Sequence, residues 1–175
     1  MSTSREPIGI VAGNGVFPLQ CIESAKKLGR EPVVVAHFDE TDPVIEQQVQ
    51  RYTWVKVGRL GKIIKFFKRE GVKQIVFAGG IKRVKSFAGL PFDWRALCMV
   101  SKMRSFGDDA LLRAIAHEFE RDGISVLAPS EIIKDCIPEA GLLTSRDLSQ
   151  NEIDNAIIGW EAAQQLGTLD IGQTV

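Results

Sequence analysis

The 175-residue sequence lacks several features that mark specialised classes of protein. No stretch reaches the roughly 18 consecutive apolar residues of a membrane-spanning helix, and the opening residues, MSTSREP, lack the apolar run of a secretory signal. Lysine plus arginine and aspartate plus glutamate balance at 22 each, so the chain lacks the excess positive charge of a dedicated nucleic-acid binder. We therefore expect a cytoplasmic protein that does not bind nucleic acid.

Cysteine and histidine are too sparse to suggest a metal centre or an activated nucleophile. The three cysteines, Cys21, Cys98 and Cys136, form no CxxC pair and are typical of reduced thiols. Neither His37 nor His117 has a serine, cysteine or carboxylate in an arrangement that predicts a catalytic triad.

Hydrophobic patterning instead predicts strands that alternate with single helices. The predicted strands are residues 8–12, 32–38, 52–57, 73–80 with its glycine turn, and 124–129. The predicted helices run from Pro18 to Leu28, from Leu60 to Gly71, from Asp93 onwards, from Asp108 to Gly123, and after Ser149. This alternation predicts an α/β, Rossmann-like domain with a parallel sheet between two layers of helices.

The first strand leads into Gly13-Asn14-Gly15 and then into a helix that starts with Pro18. Glycines after a parallel strand let the backbone approach a ligand, and a helix N-terminus favours an anion. The third glycine of the dinucleotide fingerprint is absent, which disfavours NAD. A phosphate or diphosphate site and a plain structural turn both remain open.

A second turn of the same style, Ala78-Gly79-Gly80, should lie beside the first at the carboxyl edge of the sheet. The segment 81–106 follows it, with six cations against one anion and interleaved aromatic residues. Such a segment suits an acidic lipid head group or peripheral contact with an anionic inner-membrane surface, and it equally suits a helix with a solvated basic face.

The pair Asp108-Asp109 opens the helix in which Leu111, Leu112, Ile115 and Phe119 form the predicted buried stripe. Two adjacent carboxylates resemble a Mg²⁺-binding pair. Acidic residues at a helix start also cap it, and that structural role is the favoured interpretation.

Four motifs together carry a family resemblance. GIVAGNGVFP, FAGGIKR, GDDALLRAIAHEFERDG and LGTLDIGQ occur in this order, from Ile8 to Gln173. They resemble the N-terminal half of the LpxI-type UDP-2,3-diacylglucosamine pyrophosphatases. Val84 departs from the pattern, because the family often has proline there.

The resemblance implies a Mg²⁺-dependent hydrolase of lipid A biosynthesis that converts UDP-2,3-diacylglucosamine to UMP and lipid X. It implies a homodimer of two-domain subunits. Residues 1–148 would form the Rossmann-like N-terminal domain, and residues 149–175 a linking helix and the first strand of a C-terminal catalytic domain. The catalytic residues are expected in that further domain, so the chain as given should be inactive alone.

By the same resemblance the cleft would be lined by glycine backbone, by cations after the second turn, and by the paired aspartates. The expected substrate-binding residues are Gly13, Asn14, Gly15, Gly79, Gly80, Lys82, Arg83, Asp108, Asp109 and Gln173. Asp108 and Asp109 are also the candidate metal ligands. The alternatives are a non-catalytic Rossmann-like module for a nucleotide or nucleotide sugar, and a purely structural dimerisation domain.

Overall fold

A computed structural model describes residues 6–81, 91–103 and 108–169 of the chain. Its contacts divide the chain into two compact units, Met1–Ile137 and Pro138–Val175. Among the described residues, no helix is both long enough and apolar enough to cross a bilayer.

The first unit is built on one parallel sheet. Its strands are β1 (Pro7–Ala12), β2 (Glu31–His37), β3 (Arg51–Val55), β4 (Gln74–Ala78) and β5 (Ser125–Val126). They lie in the order β3-β2-β1-β4-β5, and every neighbouring pair is parallel. This arrangement confirms the predicted α/β fold class.

Helices connect these strands and cover the sheet. The α-helices are α1 (Phe17–Lys27), α2 (Leu60–Arg69), α3 (Trp94–Val100), α4 (Asp108–Glu120), α5 (Pro129–Ile132) and α6 (Gln150–Thr168). Short 3-10 helices occupy Pro43–Gln47 and Lys134–Cys136. Of these, α6 belongs to the second unit and the others to the first.

Both faces of the sheet are buried, which produces the predicted three layers. In β2, Val33 and Val35 join a hydrophobic cluster with α2, α3 and α4. The alternate residues, Val34 and Ala36, join a second cluster with α1 and α5. Successive strand side chains point to opposite faces, so a continuous apolar run indicates helices on both sides.

Two local predictions are corrected. Leu112 was expected in the buried stripe of α4 but is 52% exposed, while its neighbour Leu111 packs partly against the core. The fifth strand is much shorter than residues 124–129, because Pro129 starts α5 there. Helix α4 is described from Asp108 onwards, and residues 104–107 lie outside the described residues, so the predicted capping role of Asp108 stays a prediction.

In the second unit, α6 starts at the predicted capping box. The Ser149 hydroxyl accepts a hydrogen bond from the Glu152 backbone N–H, and the Glu152 carboxylate accepts one from the Ser149 N–H at 2.8 Å. Arg146 donates two hydrogen bonds to the same carboxylate, and together these donors lower the pKa of Glu152 to about 2. None of the described α6 side chains is buried.

Candidate functional site

The two glycine turns meet where the strand order reverses. From β1 the chain passes outward through β2 and β3, and it then returns to place β4 on the other side of β1. The carboxyl ends of β1 and β4 therefore flank the switch point, where open α/β sheets bind ligands. Ala12 and Ala78, the last residues of these strands, are register partners.

Backbone hydrogen bonds join the two turns, which confirms the prediction that the second turn lies beside the first. The Gly13 N–H donates to the Ala78 carbonyl oxygen at 2.8 Å, and the Asn14 N–H donates to the Gly80 carbonyl oxygen at 2.7 Å. Asn14 and Gly80 form an isolated antiparallel bridge. The structure thus brings five of the predicted site residues, Gly13 to Gly15 with Gly79 and Gly80, to one edge of the sheet.

The glycines of the two turns are required for different structural reasons. A Cβ on Gly13 would overlap the Gly80 carbonyl oxygen, and one on Gly79 would overlap the Asn14 carbonyl oxygen. Close packing of one turn on the other therefore explains both glycines without a ligand. Gly15 differs, since its φ of +85° favours glycine, while apart from its chain neighbours no atom of the described residues lies within 4 Å of the position its Cβ would take.

The start of α1 presents unsatisfied donors beside Gly15. Its N-cap residue, Val16, has no side-chain cap. Among the described residues, the N–H groups of Gly15 and Val16 have no hydrogen-bond partner. Donors of this kind at a helix N-terminus suit a phosphate oxygen.

A polar side chain from the end of β2 reaches the same edge. The Asn14 Nδ2 atom donates to the Glu40 carboxylate at 3.1 Å. Sequence reasoning missed Glu40, because only the fold brings residues 14 and 40 together. The carboxylate adds an acceptor that hydroxyl groups or a cation would use.

Below this edge, His37 ties β2 to the end of β1. Its Nδ1 atom lies 3.0 Å from the Ala12 carbonyl oxygen, which also accepts a hydrogen bond from the Thr41 hydroxyl at 2.6 Å. Burial lowers the pKa of His37, opposed by the Ala12 hydrogen bond and the Glu40 charge. The neutral ring therefore donates from Nδ1 and supports the site from beneath.

The remaining predicted residues are not brought to this edge by any described contact. Lys82, Arg83 and Gln173 lie outside the described residues. Asp108 begins α4, and Asp109 pairs with Arg113 on the exposed surface of that helix, at 2.7 Å between Oδ2 and Nε.

The described residues do not form a metal site by themselves. No group of three or more His, Cys, Asp or Glu side chains within residues 6–81, 91–103 and 108–169 could hold a metal ion. Asp109 is engaged by Arg113. Mg²⁺ therefore stays a prediction from the resemblance.

The described cations of the segment 81–106 are less available to an anionic ligand than the charge count of that segment suggested. Of its described cations, Arg95 is held by Glu118, with 2.7 Å from Nε to Oε2, and it also pairs with Asp122. Trp94 is 80% exposed, and Lys102 lines a cavity between α3 and α4.

Besides the glycine turns, the carboxyl edge of the sheet carries a cleft that was not predicted from the sequence. It has a volume of about 450 Å³ and is lined by Phe38, Lys56, Arg59, Lys62, Pro91 and Asp93. We call it the basic cleft. The available signal was the third strand-to-helix junction, KVGRLGK, which carries three cations in seven residues.

The chain has a doubly wound α/β domain with two adjoining glycine turns at its switch point. In domains of this class, ligands generally bind at that point. The family model of the LpxI N-terminal domain matches residues 7–136. This chain therefore belongs to the LpxI N-terminal domain family.

A curated relative supports the same assignment. The chain is 30% identical over 174 residues to the UDP-2,3-diacylglucosamine pyrophosphatase LpxI of Caulobacter vibrioides. The match covers 95% of this chain and 59% of the relative, so the chain spans less than two thirds of that protein.

Two solved structures show a distant likeness to this chain. The biotin carboxylase domain of a thermophilic 2-oxoglutarate carboxylase matches with a TM-score of 0.43 and 16% identity, over 69% of this chain and 22% of that one. Pyruvate carboxylase from Rhizobium etli matches with a TM-score of 0.44 and 12% identity, over 70% and 11%. Likeness at this level carries no inference about the site.

Proposed function

We propose that this chain binds UDP-2,3-diacylglucosamine as part of a pyrophosphatase of lipid A synthesis, which releases UMP and lipid X. Membership of the LpxI family supports the substrate class. The observation that carries the proposal is the pair of hydrogen-bonded glycine turns at the switch point, beside the uncapped start of α1.

In this proposal the described residues bind and orient the diphosphate. The N–H groups of Gly15 and Val16, which have no partner among the described residues, donate to phosphate oxygens. The helix dipole of α1 favours the negative charge of those oxygens. Hydrolysis of a diphosphate depends mainly on positioning and charge neutralisation. Bound Mg²⁺ would supply part of that neutralisation.

The hydrolytic groups are proposed to lie outside the described residues, since these offer no three-ligand acidic set. The chain as given should therefore bind substrate and turn over little or none. The proposal includes a cytoplasmic homodimer with peripheral contact to the inner membrane, as the resemblance and the mixed apolar and basic segment suggest.

The test compares binding and turnover in one preparation. The 175-residue protein and the Caulobacter relative are each incubated with UDP-2,3-diacylglucosamine and Mg²⁺, and UMP and lipid X are quantified while titration calorimetry measures binding. We expect binding by both, with turnover by this chain far below the roughly 1–10³ s⁻¹ usual for enzymes. Turnover within that range would contradict the division of roles.

Failure to bind the substrate would contradict the proposed function itself. The alternative is a non-catalytic module for nucleotides or nucleotide sugars, which the basic cleft and the lack of a described acidic cluster favour. That alternative predicts binding of several nucleotides without preference for the diacylated sugar. Binding of none of these ligands would favour a structural role.

A further inference from the structure

We infer that the basic cleft is a nucleotide subsite that holds the uridine phosphate end of the substrate. The inference rests on the proposed function for the identity of the base. It concerns a surface that is distinct from the glycine turns.

Three cations line the cleft, and none of them has an ionic partner among the residues that the structure describes. Lys56 follows β3, Arg59 is the N-cap residue of α2, and Lys62 lies in its first turn. No ion pair or hydrogen bond joins these three side chains to any residue that the structure describes. Three like charges around one cleft repel one another, and an anion relieves that repulsion.

The acid in the cleft does not neutralise them by direct pairing. The Asp93 carboxylate accepts hydrogen bonds from the N–H groups of Gly61 at 2.7 Å, Lys62 at 3.2 Å and Ala96 at 2.9 Å. It therefore caps α2 and α3 at once, and the start of α2 has no need of an external anion. Anion binding here depends on the side chains of Lys56, Arg59 and Lys62.

An aromatic wall gives the cleft a second property. Phe38 is 48% exposed, and its ring is backed by Trp54, with ring centroids 5.4 Å apart. The Trp54 Nε1 atom donates to the Glu46 carboxylate at 2.6 Å, which fixes the supporting ring. An exposed, supported aromatic face beside cations suits a nucleobase that stacks while its phosphate is bound.

The position in the fold agrees with this assignment. Phe38 and Lys56 directly follow β2 and β3, on the same edge of the sheet as the glycine turns. Doubly wound folds bind a nucleotide at this edge, with its ribose near the end of the second strand and its phosphates at the switch point. One ligand that carries both a diphosphate and a nucleoside could therefore use both features.

The test uses the 175-residue protein and amide chemical-shift titrations with UMP, AMP, inorganic phosphate and lipid X. We expect UMP to shift amides around Phe38, Lys56 and Lys62. The double variant Lys56→Ala/Lys62→Ala should weaken UMP binding about tenfold or more, since each charge-assisted contact contributes substantially. Phe38→Ala should weaken it about fivefold through lost stacking and leave phosphate binding unchanged.

The matched control is Lys26→Ala/Lys73→Ala, which removes the same charge from exposed lysines at the amino edge of the sheet. It should change UMP affinity by less than about twofold, because distant exposed charges are screened. Circular dichroism checks that every variant is folded. UMP binding that is absent, or that is equal in all variants, would overturn the inference.

If UMP and phosphate bound with equal affinity and Phe38→Ala changed neither affinity, the inference that the cleft recognises a nucleoside would also be overturned. The two proposals fail separately. Binding of lipid X without UMP would leave the proposed function standing and remove the subsite. Binding of UMP at the cleft without binding of lipid X or UDP-2,3-diacylglucosamine would contradict the proposed function and leave the nucleotide subsite standing. AMP binding as tight as UMP binding would remove the preference for uridine.

Discussion

At the residue scale, the glycines of the two turns are required for different physical reasons. Gly13 and Gly79 have no room for a side chain, because the backbone of the opposite turn fills that space. Gly15 has room but adopts a left-handed conformation. The spacing of glycines in the sequence could not separate these reasons.

This difference predicts unequal effects of two similar substitutions. Gly13→Ala should lower the free energy of unfolding by about 3 kcal/mol or more, because backbone must move to relieve the overlap. Gly15→Ala should cost only about 1–2 kcal/mol, since it adds strain without a clash. Urea unfolding of both variants measures the difference, and equal losses would contradict the packing of the turns described above.

His37 predicts how stability depends on pH. Burial lowers its pKa in the folded protein below the ordinary 6.5, so the unfolded chain binds the proton more readily. The stability that the neutral ring provides is complete above pH 6.5 and is lost as the pH falls below it towards the folded pKa.

The measurement is the melting temperature between pH 7.5 and 5.0. His37→Asn removes the titration while it offers an amide donor to the Ala12 carbonyl, so it should flatten this loss. The exposed His117→Asn is the control. A wild-type loss that persists unchanged in His37→Asn would show that His37 is not its cause.

The candidate site was only partly predictable at this scale. The sequence predicted the turns Gly13 to Gly15 and Gly79 to Gly80 and their proximity, because glycines after apolar strands are a local signal. It could not locate Glu40 or the basic cleft, whose residues come from three separate segments that only the fold brings together. The signal that favoured Asp109 was a local doublet, and its carboxylate pairs with Arg113.

At the element scale, α2 and α3 are joined through one carboxylate. Asp93 is the N-cap residue of α3 and also accepts two N–H groups from the first turn of α2. A single side chain therefore fixes the wall of the basic cleft.

Asp93→Ala should accordingly destabilise the protein by about 2–3 kcal/mol, the cost of one cap and two further hydrogen bonds. Asp42→Ala is the matched control, since Asp42 caps only the exposed 3-10 helix through Val44. It should cost about 1 kcal/mol or less. Chemical denaturation compares them, and an equal cost would show that Asp93 does not link the two helices.

The elements themselves were largely predictable, because apolar strands and helix caps are signals within a few residues. Helix α5 was missed, since four residues are too short for a helical period. Its start at Pro129, with Glu131 accepting from the Ala128 N–H at 2.8 Å, was a visible but weak signal. The exposure of Leu112 could not be predicted, because the apolar stripe of α4 is wider than the surface that covers it.

At the scale of the whole molecule, the fold class was predictable and the strand order was not. Alternating elements indicate a parallel sheet, but the pairing of β1 with β4 joins segments more than 60 residues apart in sequence. That pairing creates the switch point, and with it the site. The local sequence thus indicates which turns could bind an anion, and only the topology brings them together.

The central claim is that the carboxyl edge of the sheet binds the lipid-linked sugar nucleotide. The most direct test is to follow the backbone amide resonances of the 175-residue protein during a titration with UDP-2,3-diacylglucosamine. We predict the largest saturable shifts at Asn14, Gly15, Val16 and Gly80, with a second group around the basic cleft. Shifts confined to the amino edge of the sheet or to the cavity between α3 and α4, or no shifts at all, would contradict the claim.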